Sequence, residues 1–110
     1  MAILLPHVMA YNADKCAAAY GELLSVLTDA ETYAATPADD RAQKAVRTVA
    51  ALLSELHELS GLPVKLSETG RVGKTDFDAV AEKALNDGAL LFNPKGMTKN
   101  DVVEILNKAF

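Results

Sequence analysis

An apolar residue recurs every three or four positions from Ala42 through Ala45, Val46, Val49, Leu52, Leu53 and Leu56 to Leu59, and the run stops at Gly61 with Pro63 just beyond. That spacing keeps one side of an α-helix apolar, and glycine followed by proline is a helix stop. The stripe predicts a helix of about six turns. A helix so one-sided is held mainly by what packs on its apolar face, so the rest of the chain must supply a covering layer.

Three segments carry the same start signal, a threonine followed three residues later by an aspartate: Thr36 and Asp39, Thr75 and Asp78, Thr98 and Asp101. A threonine hydroxyl accepts from an orphan N–H of the first turn, and an aspartate there meets the positive end of the helix. The first introduces the long stripe, with Pro37 in a first-turn slot that tolerates it. The second precedes Phe77, Val80, Ala81, Ala84 and Leu85, and the third precedes Val102, Ile105, Leu106, Ala109 and Phe110. Two further helices are expected at the front, one around Ala2 to Tyr11 and one after Asn12 that carries Cys16, Tyr20, Leu23, Leu24 and Leu27. Only Leu62 to Leu66 could pair as a strand, and one strand makes no sheet. The expectation is an all-α chain, a compact bundle of about five helices, with loops at Gly61 to Thr75 and Gly88 to Thr98.

The chain has 110 residues, enough for a single domain, residues 1 to 110, with one core. Half of the residues are hydrophobic and 24% are charged, a balance that excludes a disordered tail. A net charge of −4 leaves no electrostatic footprint for nucleic acid or an anionic membrane, and no apolar run approaches a bilayer span. One cysteine, Cys16, makes no internal disulfide, and Met1 to Ala10 lacks a signal-peptide pattern, so a cytoplasmic location is expected.

The motifs that could carry chemistry are weak. Gly70-Arg-Val-Gly73-Lys74-Thr75 imitates a phosphate loop, but Glu68 stands where a P-loop needs its first glycine, so a turn into a helix start is the better reading. His7 and His57 are fifty residues apart, His57-Glu58 lacks a second histidine four residues on, and neither is expected to bind metal. Cys16 has no activating base nearby and reads as a small core residue. On the long helix, Arg41, Lys44 and Arg47 crowd the positive end, while Glu55 and Glu58 lie toward the negative end, against the macrodipole. Solvation or a partner surface must offset that placement.

Taken along the whole chain, the residues resemble one family. Ala2-Ile-Leu-Leu-Pro-His-Val-Met-Ala-Tyr-Asn12 resembles the segment that follows the last metal-binding histidine of the iron-dependent (group III) alcohol dehydrogenases, the lactaldehyde reductase and butanol dehydrogenase type. The similarity continues through Leu59-Ser-Gly-Leu-Pro63, Leu66 to Gly70, Asp76 to Leu85 and Asp87. It closes with Asn93-Pro94, Thr98, Asp101, Ile105-Leu106 and Ala109-Phe110. The resemblance implies the distal part of a helical domain in an enzyme that pairs it with an α/β dinucleotide-binding domain. The activity implied for that parent is hydride transfer between alcohols and aldehydes with NAD(P) and a divalent metal, iron or zinc, polarising the oxygen. The metal ligands and the catalytic histidine fall before Ala2, and His7 matches a family histidine that is not a ligand. The resemblance therefore implies no catalytic, cofactor-binding or metal-binding residue in this chain. It does imply that Gly88 to Phe92 passes near the substrate pocket, with Ala89 and Leu90 lining it; many family members carry a cysteine where Ala89 stands.

Three expectations about role follow. The first is a truncated C-terminal part of such a dehydrogenase, without the dinucleotide-binding domain, inactive alone and self-associating through the apolar surface it leaves bare. The alternative is a free-standing helical module that binds a protein partner, which would have replaced apolar edge residues such as Ile3, Leu4 and Leu5 with polar ones. A third is complementation by a separate N-terminal half, ranked below both because the division falls beside the metal site.

Overall fold

The computed structural model describes residues 2–110. Five α-helices follow one another: α1 Leu5–Leu27, α2 Ala30–Ala35, α3 Arg41–Ser60, α4 Phe77–Leu85 and α5 Lys99–Ala109. Short 3₁₀ turns at Ala38–Asp40, Leu66–Thr69, Lys74–Asp76 and Gly88–Phe92 connect them, and no strand occurs among the described residues. The all-α expectation holds, with five helices divided differently from the sequence reading.

The front of the chain carries two helical stretches joined across a kink within α1, and the break lies at Cys16 rather than at Asn12. No break occurs at Asn12, because its side chain is buried and bonded to a residue far along the chain instead of to the local backbone. The irregularity lies at Cys16, whose φ of −112° and ψ of 15° kink α1. Cys16 is half-buried there rather than a core residue. The extra helix α2 is capped by Asp29, whose carboxylate accepts from the Thr32 N–H at 2.6 Å. That bond holds the Asp29 carboxyl below its ordinary pKa.

Of the three threonine starts, only Thr98 caps as expected: its hydroxyl accepts from the Asp101 N–H, and the Asp101 carboxylate accepts from the Thr98 N–H at 2.8 Å. Thr36 instead ends α2 and donates its hydroxyl to the Thr32 carbonyl at 2.7 Å, because Pro37 forces extended backbone before it and a 3₁₀ turn then opens α3. At the second start the capping carboxylate is Asp76, not Asp78, and it accepts from the Gly73 N–H at 2.9 Å. The N–H that a phosphate would need is therefore occupied by a side chain of the same turn.

α3 follows the stripe. It ends where Gly61 takes φ +73°, a left-handed value that favours glycine, and the His57 ring Nδ1 bonds the Leu62 carbonyl at 2.6 Å across that end. His57 is thus half-buried and tied to the loop rather than standing on a fully solvated face. Arg41 is released from its unfavourable helix end by stacking 4.0 Å from the centre of the Tyr33 ring and donating to the Thr36 carbonyl at 3.1 Å.

α1 lies along α3 on one side and touches α5 on the other, and α4 pairs with α5. Phe77, Ala81, Val102 and Leu106 form the core between α4 and α5, and Phe77 meets Phe110 edge to face at 5.7 Å. Ala42, Ala45 and Val46 bury the first half of the α3 stripe, with Leu24 of α1 fully buried. The second half stays bare: Leu52, Leu56, Leu59 and the following Leu62 are exposed, Leu59 by 78%.

The molecule measures 45 × 34 × 18 Å, so it is about two helices thick, and its radius of gyration of 15.3 Å exceeds the about 13 Å of a compact chain this long. Its accessible surface is 7194 Å² where a folded monomer of this mass has about 5,900 Å². The excess, about 1,300 Å², is more than the roughly 800 Å² that one partner contributes to a standard interface. No helix among the described residues is long and apolar enough to cross a membrane.

Candidate functional site

The turn Gly88–Phe92 is built from its ends. At its start the Asp87 carboxylate accepts from the Ala89 N–H at 2.8 Å, and at its end the Asn93 N–H donates to the Leu90 carbonyl at 3.1 Å. Pro94 keeps Asn93 extended, which stops the turn. The loop that follows is strapped to the middle of α1. Asn93 and Asn12 exchange two hydrogen bonds of 2.9 Å, Tyr11 donates its hydroxyl to the Gly96 carbonyl at 2.6 Å, and the Lys95 ammonium lies 4.3 Å from the centre of the Tyr11 ring. Lys95 also stands 3.4 Å from the Asp14 carboxylate.

These ties hold the turn over the start of α1 and the end of α4, and a two-part pocket results. Leu4, Val8, Ala84, Leu90 and Asn93 belong to both parts. The outer part, about 640 Å³ and open to solvent, adds Asp87, Ala89, Phe92 and Pro94. The inner part is a recess of about 200 Å³ walled by Val80 of α4, Met97, and Val102, Ile105 and Leu106 of α5. Ala89 and Leu90 thus meet at one opening, Ala89 at its rim and Leu90 between rim and recess. Beside them Leu91 is 84% exposed, and Phe92, at the edge of the outer part, is 87% exposed.

The opposite side of α1 is different. His7 faces a groove of about 400 Å³ that Arg47, Lys65 and Lys108 also line. Partial burial first, and the Lys108 ammonium second, hold the His7 imidazole below its ordinary pKa. Glu104, one turn before Lys108, faces the adjoining hollow beside His7 and Tyr11.

Metal ions need three or more donors brought together. No such group of histidine, cysteine, aspartate or glutamate exists among the described residues: His7 and His57 lie apart, Cys16 stands at the α1 kink, and Asp101 is committed to Thr98.

Reading the sequence missed Tyr11, Asn12 and Lys95, the residues that fix the turn. The available signal was an asparagine in the middle of an apolar helical run, a position where a side chain that competes for the backbone is tolerated only if it has another partner.

The family model for the C-terminal part of the Fe-containing alcohol dehydrogenase family matches residues 1–110. Lactaldehyde reductase of Escherichia coli (strain K12) is 35% identical over 109 residues, which cover 99% of this chain and 27% of that protein. For 1,3-propanediol dehydrogenase of Citrobacter freundii the identity is 30% over 109 residues, covering 99% and 26%. A crystal structure of 1,3-propanediol oxidoreductase superposes with a TM-score of 0.83 at 30% identity, covering 99% of this chain and 27% of that one. The chain spans about a quarter of the length of these relatives. The sequence match and the likeness of fold both extend over nearly the whole chain, and the chain belongs to the Fe-containing alcohol dehydrogenase family, of which it represents the C-terminal part.

Proposed function

We propose that this chain serves as the helical wall of an NAD(P)-dependent, metal-assisted alcohol dehydrogenase, where it forms one side of the substrate pocket and leaves hydride transfer and metal binding to residues outside Ala2–Phe110. The observation that carries the reading is the pocket framed by Leu4, Val8, Ala84, Ala89 and Leu90, on the turn for which the family resemblance implies substrate contact. Its aliphatic walls suit an alcohol or aldehyde. The nicotinamide and the divalent iron or zinc would be held by other parts of the enzyme, since the donors here make no coordination set. Alone, the chain is inactive, and a reducing cytoplasmic setting suits its free Cys16.

The bare leucines of α3 support a companion reading. Leu52, Leu56, Leu59 and Leu62 would be covered in the whole enzyme by an N-terminal part, and in the isolated chain by a second copy. A free-standing module with a foreign partner is the weaker reading, because such a large apolar face is costly to keep in water.

The test is a chimera in which this chain replaces the matching C-terminal stretch of the E. coli lactaldehyde reductase. NADH-dependent aldehyde reduction by the chimera, with none by the isolated chain, is the expected pair of results. A folded, metal-loaded chimera without activity would overturn the reading.

A further inference from the structure

We propose that the groove between α1, α3 and α5 binds a single-chain fatty carboxylate, its anionic head among Arg47, Lys65 and Lys108 and its hydrocarbon chain on the apolar floor. The site lies on the other side of α1 from the pocket beside the Gly88–Phe92 turn and does not depend on the dehydrogenase reading.

Charge sets the head. The chain carries a net charge of −4, yet Arg47, Lys65 and Lys108, from three separate segments, line one groove with no aspartate or glutamate among the residues lining it. None of the three is in an ion pair among the described residues, where the paired lysines are Lys95 and Lys99. Of the acids nearby, Glu104 faces the adjoining hollow, and the Glu68 carboxylate accepts from the Val64 N–H at 2.9 Å. His7 shares the groove, and its lowered pKa, due first to burial and then to Lys108, agrees with a positive field that nothing there cancels. Cations gathered without counter-charges favour an anion between them. Such an anion also offsets the placement of Arg47 toward the positive end of α3.

Apolar surface sets the chain. The floor between the cations is made by Ile3, Val46, Ala50, Leu53 and Val64. Ile3, Leu53 and Val64 continue into a hollow of about 240 Å³ whose other walls are Ala2, Leu56, Leu62 and Pro63. The trough is thus basic at one end and apolar at the other, which suits a ligand with the same gradient along its length. An inorganic anion would leave the hollow unfilled, and a neutral alcohol would leave the cations unpaired. Because the cations are exposed, each attracts weakly through water, and the buried methylenes supply most of the affinity. The net negative charge repels an anionic bilayer, and a trough between helices admits a chain rather than a flat surface, so the occupant is a free amphiphile. Leu56 and Leu62 also belong to the bare leucine face, so a bound chain and a second copy of the protein exclude each other there.

The test is a methyl-labelled NMR titration of the 110-residue chain with octanoate, decanoate and decyltrimethylammonium, each below its micelle concentration. Saturable shifts at Ile3, Val46, Leu53 and Val64 are expected with both carboxylates, decanoate binding roughly tenfold more tightly for its two extra methylenes. Decyltrimethylammonium has the same chain with the opposite charge and should bind at least about tenfold more weakly than decanoate. Replacing the three cations together, Arg47→Gln with Lys65→Gln and Lys108→Gln, alters only exposed side chains, so the fold should persist while decanoate weakens about fivefold or more. Absent shifts, equal binding of the ammonium, unchanged affinity in the triple variant, or shifts confined to Leu90 and Val102 would overturn the inference. Binding seen only with phosphatidylglycerol vesicles would overturn it as well, in favour of a membrane surface.

Discussion

Asn12 and Asn93, separated by 81 positions in the chain, face each other with both carboxamides paired, each donating to the other at 2.9 Å. The pair joins the middle of α1 to the loop that ends the pocket turn, so the position of Ala89 and Leu90 depends on a contact that neither helix makes alone. Asn12 is only 5% exposed, and a lost partner cannot be replaced there by bulk water.

Asn93→Ala should therefore destabilise the fold by about 1–3 kcal/mol, the cost of leaving the buried Asn12 amide unpaired. The pocket turn should loosen more than the helices do. Urea unfolding gives the first quantity and amide hydrogen exchange at Ala89 to Phe92 the second; unchanged exchange there would show that Pro94 and the Tyr11–Gly96 bond hold the turn unaided.

The core between α4 and α5 depends on one aromatic ring. Phe77 is 3% exposed and meets both Phe110 and the aliphatics of α5. Phe77→Ala should cost about 3–5 kcal/mol, enough to unfold a small domain of ordinary stability. A cooperative denaturation curve close to that of the parent would contradict this packing.

Self-association should follow the bare end of α3. Leu56→Glu with Leu59→Lys places charge on the exposed leucine face without touching the buried Ala42, Ala45 and Val46. Light scattering is expected to show a dimer or larger species for the parent chain and a monomer for the double variant, with the helical circular dichroism unchanged.

The His7 imidazole gives the stability a pH dependence of known sign. Its folded pKa lies below the ordinary 6.5, first through burial and then through Lys108, so the unfolded chain binds the proton more readily. Stability from this site is therefore full above the ordinary value and falls as the pH drops through the window beneath it. The charged groups around it are Arg47, Lys65 and Lys108 in the groove and Glu104 beside it. His7→Gln should flatten thermal stability between pH 5 and 7, roughly the window in which an imidazole titrates. A slope that survives the substitution would place its source elsewhere.

Local features of this chain could be read without the fold because local physics sets them. The 3.6-residue period of Ala42 to Leu59, the Gly61 stop and the Thr98–Asp101 capping box each involve residues within a few positions of one another, and each is present where expected. The family resemblance was legible for a related reason, since residues spaced along a conserved order of elements are visible in the chain itself. Where the local reading failed, a distant or competing contact decided. Pro37 turned Thr36 from the start of one helix into the end of another, and Asp76 reached Gly73 before Asp78 could act.

The break expected at Asn12 disappeared for the same reason, because its amide is satisfied by Asn93 and the helix continues to the kink at Cys16. Sequence alone thus determined that the chain is helical, where α3 stops and which face of that helix is apolar. Tertiary structure decided which half of that face is covered, and that Leu4, Val8, Ala84 and Leu90 line one pocket. Helix propensity and capping act over a few residues, whereas a pocket or a buried amide pair exists only once segments eighty positions apart have come together.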